Sequence, residues 1–257
     1  MKLVLGDLTD RWVVDASVEA GTAAIVHLAA QTSVLRSLQD PQGALDNNVT
    51  ALGALLERSR KAGVSTFVLA SSNAVVGRGA TGTLHERVPL MPLTPYGATK
   101  AAGEMLLSCY DAAYGVRGVA LRLTNVYGPA MTEKDTAVPR LMRAAAGESR
   151  FEVYGDGSQV RDYVNVADVV SAVLLALGSP AMSGPVVIGA GHSVSVLDLV
   201  ALVEQATGRH LPVAHVPAKA GEMPAVVVDN SLARSFGWSP QVSLEAGLAE
   251  VAREWFG

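Results

Sequence analysis

Cysteine is almost absent. Cys109 stands alone, so no disulfide can close within the chain, and a reducing, cytoplasmic setting is expected. Cys109 lies in the apolar face of a helical pattern, where packing inside the core is the expected role. Charge is scarce as well. Asp, Glu, Lys and Arg make up 17% of the chain, the net charge is −4, and no run of Lys or Arg marks a surface for nucleic acid. Long apolar runs are missing: none reaches the roughly 20 residues that cross a bilayer. The apolar stretch near the start, residues 2–5, is too short for a signal peptide. His27, His85, His192, His210 and His215 share no ligand spacing with one another or with Cys109, so no metal site is expected. What is present is an apolar fraction of 49% over 257 residues, enough for one large globular domain or two smaller ones.

Short apolar strands alternate with helical patterns. Strands are expected over 2–5, 23–29, 66–71 and 116–123, and helices over 11–20, 45–62 and 95–114. A continuous apolar run such as 23–29 belongs to a strand covered on both faces. This alternation predicts an α/β fold with a doubly wound parallel sheet and right-handed crossovers. After Asn125 the rhythm loosens. Helices are expected over 138–146, 166–177, 196–207 and 244–256, with short strands over 151–154, 186–188, 212–216 and 226–229. The reading is a sheet domain over 1–124, rejoined by 160–192, and a smaller α/β lobe over 125–257.

The stretch Thr94-Pro95-Tyr96-Gly97-Ala98-Thr99-Lys100 reads as a helix start, with Thr94 as cap and Pro95 in the first helical position. Spacing of four places Tyr96 and Lys100 on one helix face. An ammonium beside a phenol favours the phenolate, so the Tyr96 pKa is expected to fall into the range of a general acid or base. Two surface residues on an ordinary helix would show the same spacing.

Around that pair stand further stretches in a fixed order. They are Gly6-Asp7-Leu8-Thr9-Asp10, His27-Leu28-Ala29-Ala30-Gln31, Asn48-Val49, Ala70-Ser71-Ser72, and Arg122 through Asn125-Val126-Tyr127-Gly128-Pro129. Later come Tyr154-Gly155-Asp156-Gly157, Val160-Arg161-Asp162-Tyr163, and Gly221-Glu222 leading to Asp229. In this set, which covers nearly the whole chain, the sequence resembles the extended short-chain dehydrogenase/reductase family, and within it the NAD-dependent nucleotide-sugar epimerases and dehydratases. The resemblance implies a Rossmann-like sheet with a C-terminal substrate lobe, NAD as cofactor, and a nucleotide-sugar as substrate. It gives Ser72, Tyr96 and Lys100 the catalytic roles. Asp7 and Leu8 would touch adenine; Leu28, Ala29, Ala30 and Asn48 would line the dinucleotide; Lys100 would also grip a cofactor ribose. Asn125, Arg161, Lys219 and Glu222 would hold the nucleotide-sugar, with the Arg161 guanidinium suited to a diphosphate. A salt bridge from Arg161 to Asp162 or Asp168 is the competing role. The family often forms a homodimer through two helices, which here would be those over 45–62 and 95–114. Tyr96 as phenolate would take the proton of a sugar 4-hydroxyl while hydride leaves C4 for NAD+. The 4-keto sugar would turn, and hydride would return to its other face.

Two departures matter. Ser72 is followed by Asn73 and Ala74, where the dehydratase branch resembles Thr-Asp-Glu; without those carboxylates the resemblance leans to epimerase. Val76 stands where the family usually has tyrosine. A third departure lies at the front. The family opens with a strand, a glycine-rich turn and a helix that binds the cofactor pyrophosphate. Here the match begins at the third strand, giving an N-terminally truncated Rossmann-like fold. The segment 77–82 fits G-x-G-x-x-G, but Pro89, Pro92 and Pro95 follow, so it cannot open the required helix. Losing about three charge-assisted bonds of roughly 1.5–3 kcal/mol each would weaken cofactor binding severely. The strand over 2–5 would then either slide roughly 10 Å to pair with 23–29 or leave an open sheet edge.

Three readings follow. The chain is a redox epimerase whose N-terminal segment lies upstream of this start; or an acid–base enzyme that works without NAD; or a non-catalytic nucleotide-sugar binder or partner-completed subunit.

Overall fold

The computed structural model describes residues 2–79, 82–217 and 227–257. Along the chain run α1 (Arg11–Ser17), β1 (Ala24–His27), α2 (Val34–Gln39), α3 (Pro41–Leu45), a π turn over Asp46–Thr50, and α4 (Ala51–Ala62). Next come β2 (Thr66–Ser72), β3 (Thr83–Leu84), α5 (Pro95–Tyr114), β4 (Arg117–Leu123), β5 (Asn125–Tyr127), α6 (Ala137–Ala145) and β6 (Phe151–Tyr154). The chain continues through β7 (Val160–Asn165), α7 (Val166–Gly178), β8 (Gly184–Ile188), β9 (Ser193–Ser195) and α8 (Val196–Thr207). It ends with β10 (Val213–Val216), β11 (Val227–Val228), α9 (Ser231–Ser235) and α10 (Leu244–Phe256).

These elements fall into two units. The first takes Met1–Gly79, Glu86–Arg122 and Ala172–Val187, the second Ala80–His85, Leu123–Ser171 and Ile188–Gly257. Of the residues 160–192 expected to rejoin the sheet domain, those from Ala172 to Val187 belong to the first unit.

The first unit is built on a sheet in the order β1-β2-β4-β8, with β1 and β2 parallel and His27 opposite Leu69. Apolar faces of α1, α4 and α5 close over it through Val14, Leu52, Leu56, Phe67, Leu69 and Leu107. Burying a side chain such as Phe67 or Leu56 stabilises the fold by about 1.5–3 kcal/mol. Helix α5 is delimited by its own sequence. The Thr94 hydroxyl accepts the Gly97 N–H at 3.2 Å, Pro95 fills the first position, and Gly115 closes the helix at φ +70° with its N–H on Asp111 and Tyr110 carbonyls.

The second unit holds a sheet in the order β5-β7-β9, in which β5 and β7 are parallel and β7 and β9 antiparallel. Two parallel strand pairs, β6 with β10 and β3 with β11, complete it among the described residues. Its core gathers Tyr127, Leu141, Met142, Phe151, Val153, Tyr163, Leu199 and Leu248. Helix α8 starts with a reciprocal capping box between Ser195 and Asp198.

Three expectations about the first unit are corrected. Residues 2–5 form no strand, and Leu3 and Leu5 are 72% and 76% exposed. No described strand lies beside them to take their N–H and C=O groups. Of the two outcomes expected for them, they have not slid across to β1, which is an open edge of the sheet among the described residues, and Val26 is exposed rather than covered. Cys109 is exposed, on an outward stripe of α5 with Met105 and Ala112. No described helix is long and apolar enough to cross a membrane.

Candidate active site

The site is set where β2 ends against the first turn of α5. Tight backbone approach makes it possible: a Cβ on Gly97 would sit 2.6 Å from the Ala74 carbonyl oxygen, so only glycine lets the helix start lie there. The Tyr96 N–H donates to the Ser37 hydroxyl at 3.1 Å, which ties the same turn to α2. Held this way, the Tyr96 phenol faces the Ser72 hydroxyl, whose nearness favours the ionised phenol; that hydroxyl donates to Asn73 Oδ1 at 3.4 Å. One helical turn on, the Lys100 ammonium donates to the Ala70 carbonyl at 2.8 Å and lies 5.9 Å from the centre of the Tyr96 ring. Ser72, Tyr96 and Lys100 are therefore brought together within the first unit.

Their electrostatics differ from the sequence expectation. Lys100 is buried, and burial pulls its pKa from 10.5 to about 8. Burial also pushes the Tyr96 phenol up, and the nearby Ser72 hydroxyl only partly offsets that. The expected fall of the Tyr96 pKa is thus reversed: desolvation of a phenolate outweighs an ammonium whose hydrogen bond goes to Ala70. His27, buried beside them, drops to about 4 through burial and then the Lys100 charge, so it is neutral at pH 7.

A second layer adjoins Lys100. The π turn interrupts the helical run expected over 45–62, which begins earlier at Pro41, and Asn48 within it is buried. Asn48 Nδ2 donates to the Thr99 hydroxyl and the Gln31 carbonyl, both at 3.0 Å, and its Oδ1 accepts the Gln31 N–H at 2.8 Å. With both of its N–H groups used, Asn48 acts chiefly by holding the 29–31 loop. The Gln31 side-chain amide is different: its nitrogen and oxygen are both buried without a partner. Leu28 and Ala29 are exposed and Ala30 half-buried.

Asp7 turns its carboxylate onto the Thr9 N–H and hydroxyl at 2.8 and 2.7 Å, and these bonds lower its pKa. Leu8 packs against the core under α1. Gly77–Gly79 form a short 3-10 turn, and Thr83–Leu84 is a strand, so no helix starts there among the described residues.

In the second unit Asn125 donates from Nδ2 to the Asp162 carbonyl at 2.8 Å. Arg161, on β7, donates from Nη1 to the Val160 carbonyl at 2.8 Å. Asp162 is fully buried; its carboxylate accepts from the Thr124 hydroxyl and from the Ala190 and Gly191 N–H groups, against a burial that raises its pKa. The Asp168 carboxylate takes the Gln241 and Val242 N–H groups. Lys219 and Glu222 lie outside the described residues.

The sequence profile of the NAD dependent epimerase/dehydratase family matches residues 1–189. The chain belongs to this family. A UDP-glucose epimerase of Bacillus subtilis (strain 168), YtcB, itself uncharacterized, is 36% identical over 243 residues, covering 92% of this chain and 76% of that protein. Among solved structures, a UDP-glucose 4-epimerase of Thermus thermophilus in complex with NAD superposes with a TM-score of 0.91 at 31% identity, covering 98% of this chain and 84% of that one. A dTDP-glucose 4,6-dehydratase of Streptomyces venezuelae with NAD bound gives 0.89 at 30% identity, covering 98% and 78%. This family member thus has relatives in both branches, with the Rossmann fold common to them.

Sequence reasoning missed Ser37, Gln31, Thr99 and His27 as parts of this neighbourhood. Ser37 sits in α2, whose Val34, Leu35 and Leu38 are exposed, so no buried apolar stripe marks that helix. His27 was visible inside an apolar strand, but nothing in the spacing places it beside Lys100.

Proposed function

We propose that this protein is an NAD-dependent nucleotide-sugar epimerase that inverts a sugar carbon through a transient ketone. The convergence of Ser72, Tyr96 and Lys100 carries this reading. The Ser72 hydroxyl holds the sugar 4-hydroxyl, and Tyr96 removes its proton and later returns it. Tyr96 does this as a phenolate, and the Lys100 charge supports that phenolate before the proton is taken and after it is returned. Asn73 and Ala74 offer no carboxylate after Ser72, which favours epimerisation over loss of water. Asn125 and Arg161 are assigned to the nucleotide-sugar, the Arg161 guanidinium to its diphosphate.

The residues at the triad end fit NAD. The Gln31 main chain is joined through Asn48 and Thr99 to the helix turn that carries Lys100, and its side-chain amide is buried without a partner, so polar groups suited to a ribose or carboxamide stand ready there. Lys100 and Tyr96 would hold that end, with Leu28, Ala29, Ala30 and Asn48 along the dinucleotide and Asp7 and Leu8 near adenine. NAD, when bound, accepts hydride from the sugar and gives it back. The outward stripe of Ala98, Met105, Cys109 and Ala112 on α5 supports a homodimer face formed with α4.

The test is proton NMR of UDP-glucose incubated with the protein and NAD+. Growth of C4-epimer resonances that require both is expected. Unchanged sugar across several UDP- and dTDP-hexoses would end the epimerase reading.

A further inference from the structure

Below the reacting pair lies a buried polar lock that the proposed mechanism does not use. Tyr96, Lys100 and Glu104 recur every four residues on one face of α5, each step about 6 Å along the helix. The last of them meets the sheet from inside the core. Glu104 Oε1 accepts the Ser71 hydroxyl at 2.5 Å and the Arg122 Nε at 3.0 Å, and Oε2 accepts Arg122 Nη2 at 2.8 Å. Ser71, Glu104 and Arg122 are 3%, 8% and 3% exposed. Arg122 Nη1 continues to the Glu86 carbonyl at 3.0 Å, and the Glu86 carboxylate takes the Val187 N–H of β8 at 2.8 Å. Three elements of the first unit, β2, β4 and α5, thus meet at one carboxylate, and β8 is joined through Glu86.

A buried ion pair is a poor source of stability, because desolvation cancels most of its attraction. Its geometry is a better clue. Consecutive residues of β2 each meet one turn of α5: the Ala70 carbonyl takes the Lys100 ammonium, the Ser71 hydroxyl bonds Glu104, and the Ser72 hydroxyl faces Tyr96. Ser71 and Ser72 are neighbours at one strand end, so the directions of their side chains are coupled. Fixing Ser71 onto Glu104 therefore fixes the rotation of the strand end that presents Ser72 to the phenol. We infer that Ser71, Glu104 and Arg122 form a positioning lock that sets the Ser72–Tyr96–Lys100 geometry, with Ser71 as its link to the reacting hydroxyl. None of the three touches substrate in this account, and the inference rests on the epimerase reading.

Ser71→Ala removes the link while leaving the Glu104–Arg122 pair intact. Its kcat is expected to fall by about tenfold or more, as misplacement of a reacting group does, with KM for the nucleotide-sugar within about twofold. Ser71→Thr, which keeps the hydroxyl on a β-branched residue suited to a strand, should restore kcat. A readout independent of turnover is the Tyr96 phenol titration, followed by near-ultraviolet difference against Tyr96→Phe. In Ser71→Ala it should move to higher pH as the Ser72 hydroxyl shifts away from the phenol. A Glu104→Met/Arg122→Met double variant replaces the pair with apolar chains that keep the fold, and it should show the same kinetic split. Full turnover in folded Ser71→Ala or in the double variant, with the Tyr96 titration unmoved, would overturn the lock. In that case an inactive Tyr96→Phe would leave the epimerase reading standing. If the unaltered protein turns over no sugar at all, the reading fails, and the Tyr96 titration still decides the lock.

Discussion

Tyr96→Phe lowers kcat by about a hundredfold to ten-thousandfold, the range a positioned acid or base supplies. The phenol faces Ser72 and is half-buried at the start of α5, so removing one oxygen leaves the ring, its cation contact with Lys100 and the helix cap untouched. KM for the nucleotide-sugar should therefore stay within a few-fold, and far-ultraviolet circular dichroism and the melting temperature should not change. A protein whose turnover survives this change does not use Tyr96 as its proton carrier. A protein that binds nucleotide-sugar but never turns it over, with or without the phenol, is a binder and not an enzyme.

Lys100→Met should make the protein more stable and far less active. Burial holds the Lys100 pKa at about 8 in the folded chain, against 10.5 for an ordinary lysine. Below pH 8 the group is charged in both states and the folded chain bears the whole burial penalty. Between pH 8 and 10.5 the unfolded chain holds a proton that the folded chain has lost, so stability from this group rises with pH; above that range it is constant. A gap of that size corresponds to roughly 3 kcal/mol, reduced by about 1 kcal/mol for the lost bond to the Ala70 carbonyl. Near neutral pH the variant should melt roughly 5 °C higher. Its upward stability slope between pH 8 and 10.5 should vanish. Turnover should drop about a hundredfold or more, because the phenolate loses its neighbouring charge. In the unaltered protein kcat should decline as pH passes about 8 and Lys100 loses its proton. Denaturant melts across pH, together with the pH–rate profile, check each statement. A variant that is less stable at every pH would mean that Lys100 is held by partners rather than strained by burial.

The legible parts of this protein were those whose signals are local. Helix α5 carries its start and stop in its own residues, Thr94, Pro95 and Gly115, and its bounds were read correctly from them. The parallel pair β1 and β2 was legible because continuous apolar runs have few other uses. The stretch 2–5 has the same composition and forms no strand, because a strand exists only beside another strand. Cys109 shows a different limit. A 20-residue helix rich in Ala, Leu and Met has apolar residues on more than one face, and periodicity alone does not say which face meets the core. The Tyr96 pKa was misjudged because spacing reports a neighbouring charge but not the loss of water around the phenol. The Asn48 π turn, and the Ser71–Glu104–Arg122 lock with its far-apart residues, depend on tertiary packing that no short motif records.

The most direct test is calorimetric titration of the purified chain, residues 1–257, with NAD+. A sample is denatured first and assayed for nucleotide carried through purification. The account predicts one saturable site per chain with Kd below about 1 mM, corresponding to more than roughly 4 kcal/mol of binding free energy, weakened when Gln31 or Lys100 is replaced. No detectable binding at several-millimolar cofactor by a folded, monodisperse protein, with none carried over, would contradict it, and redox epimerisation by this chain would have to be abandoned.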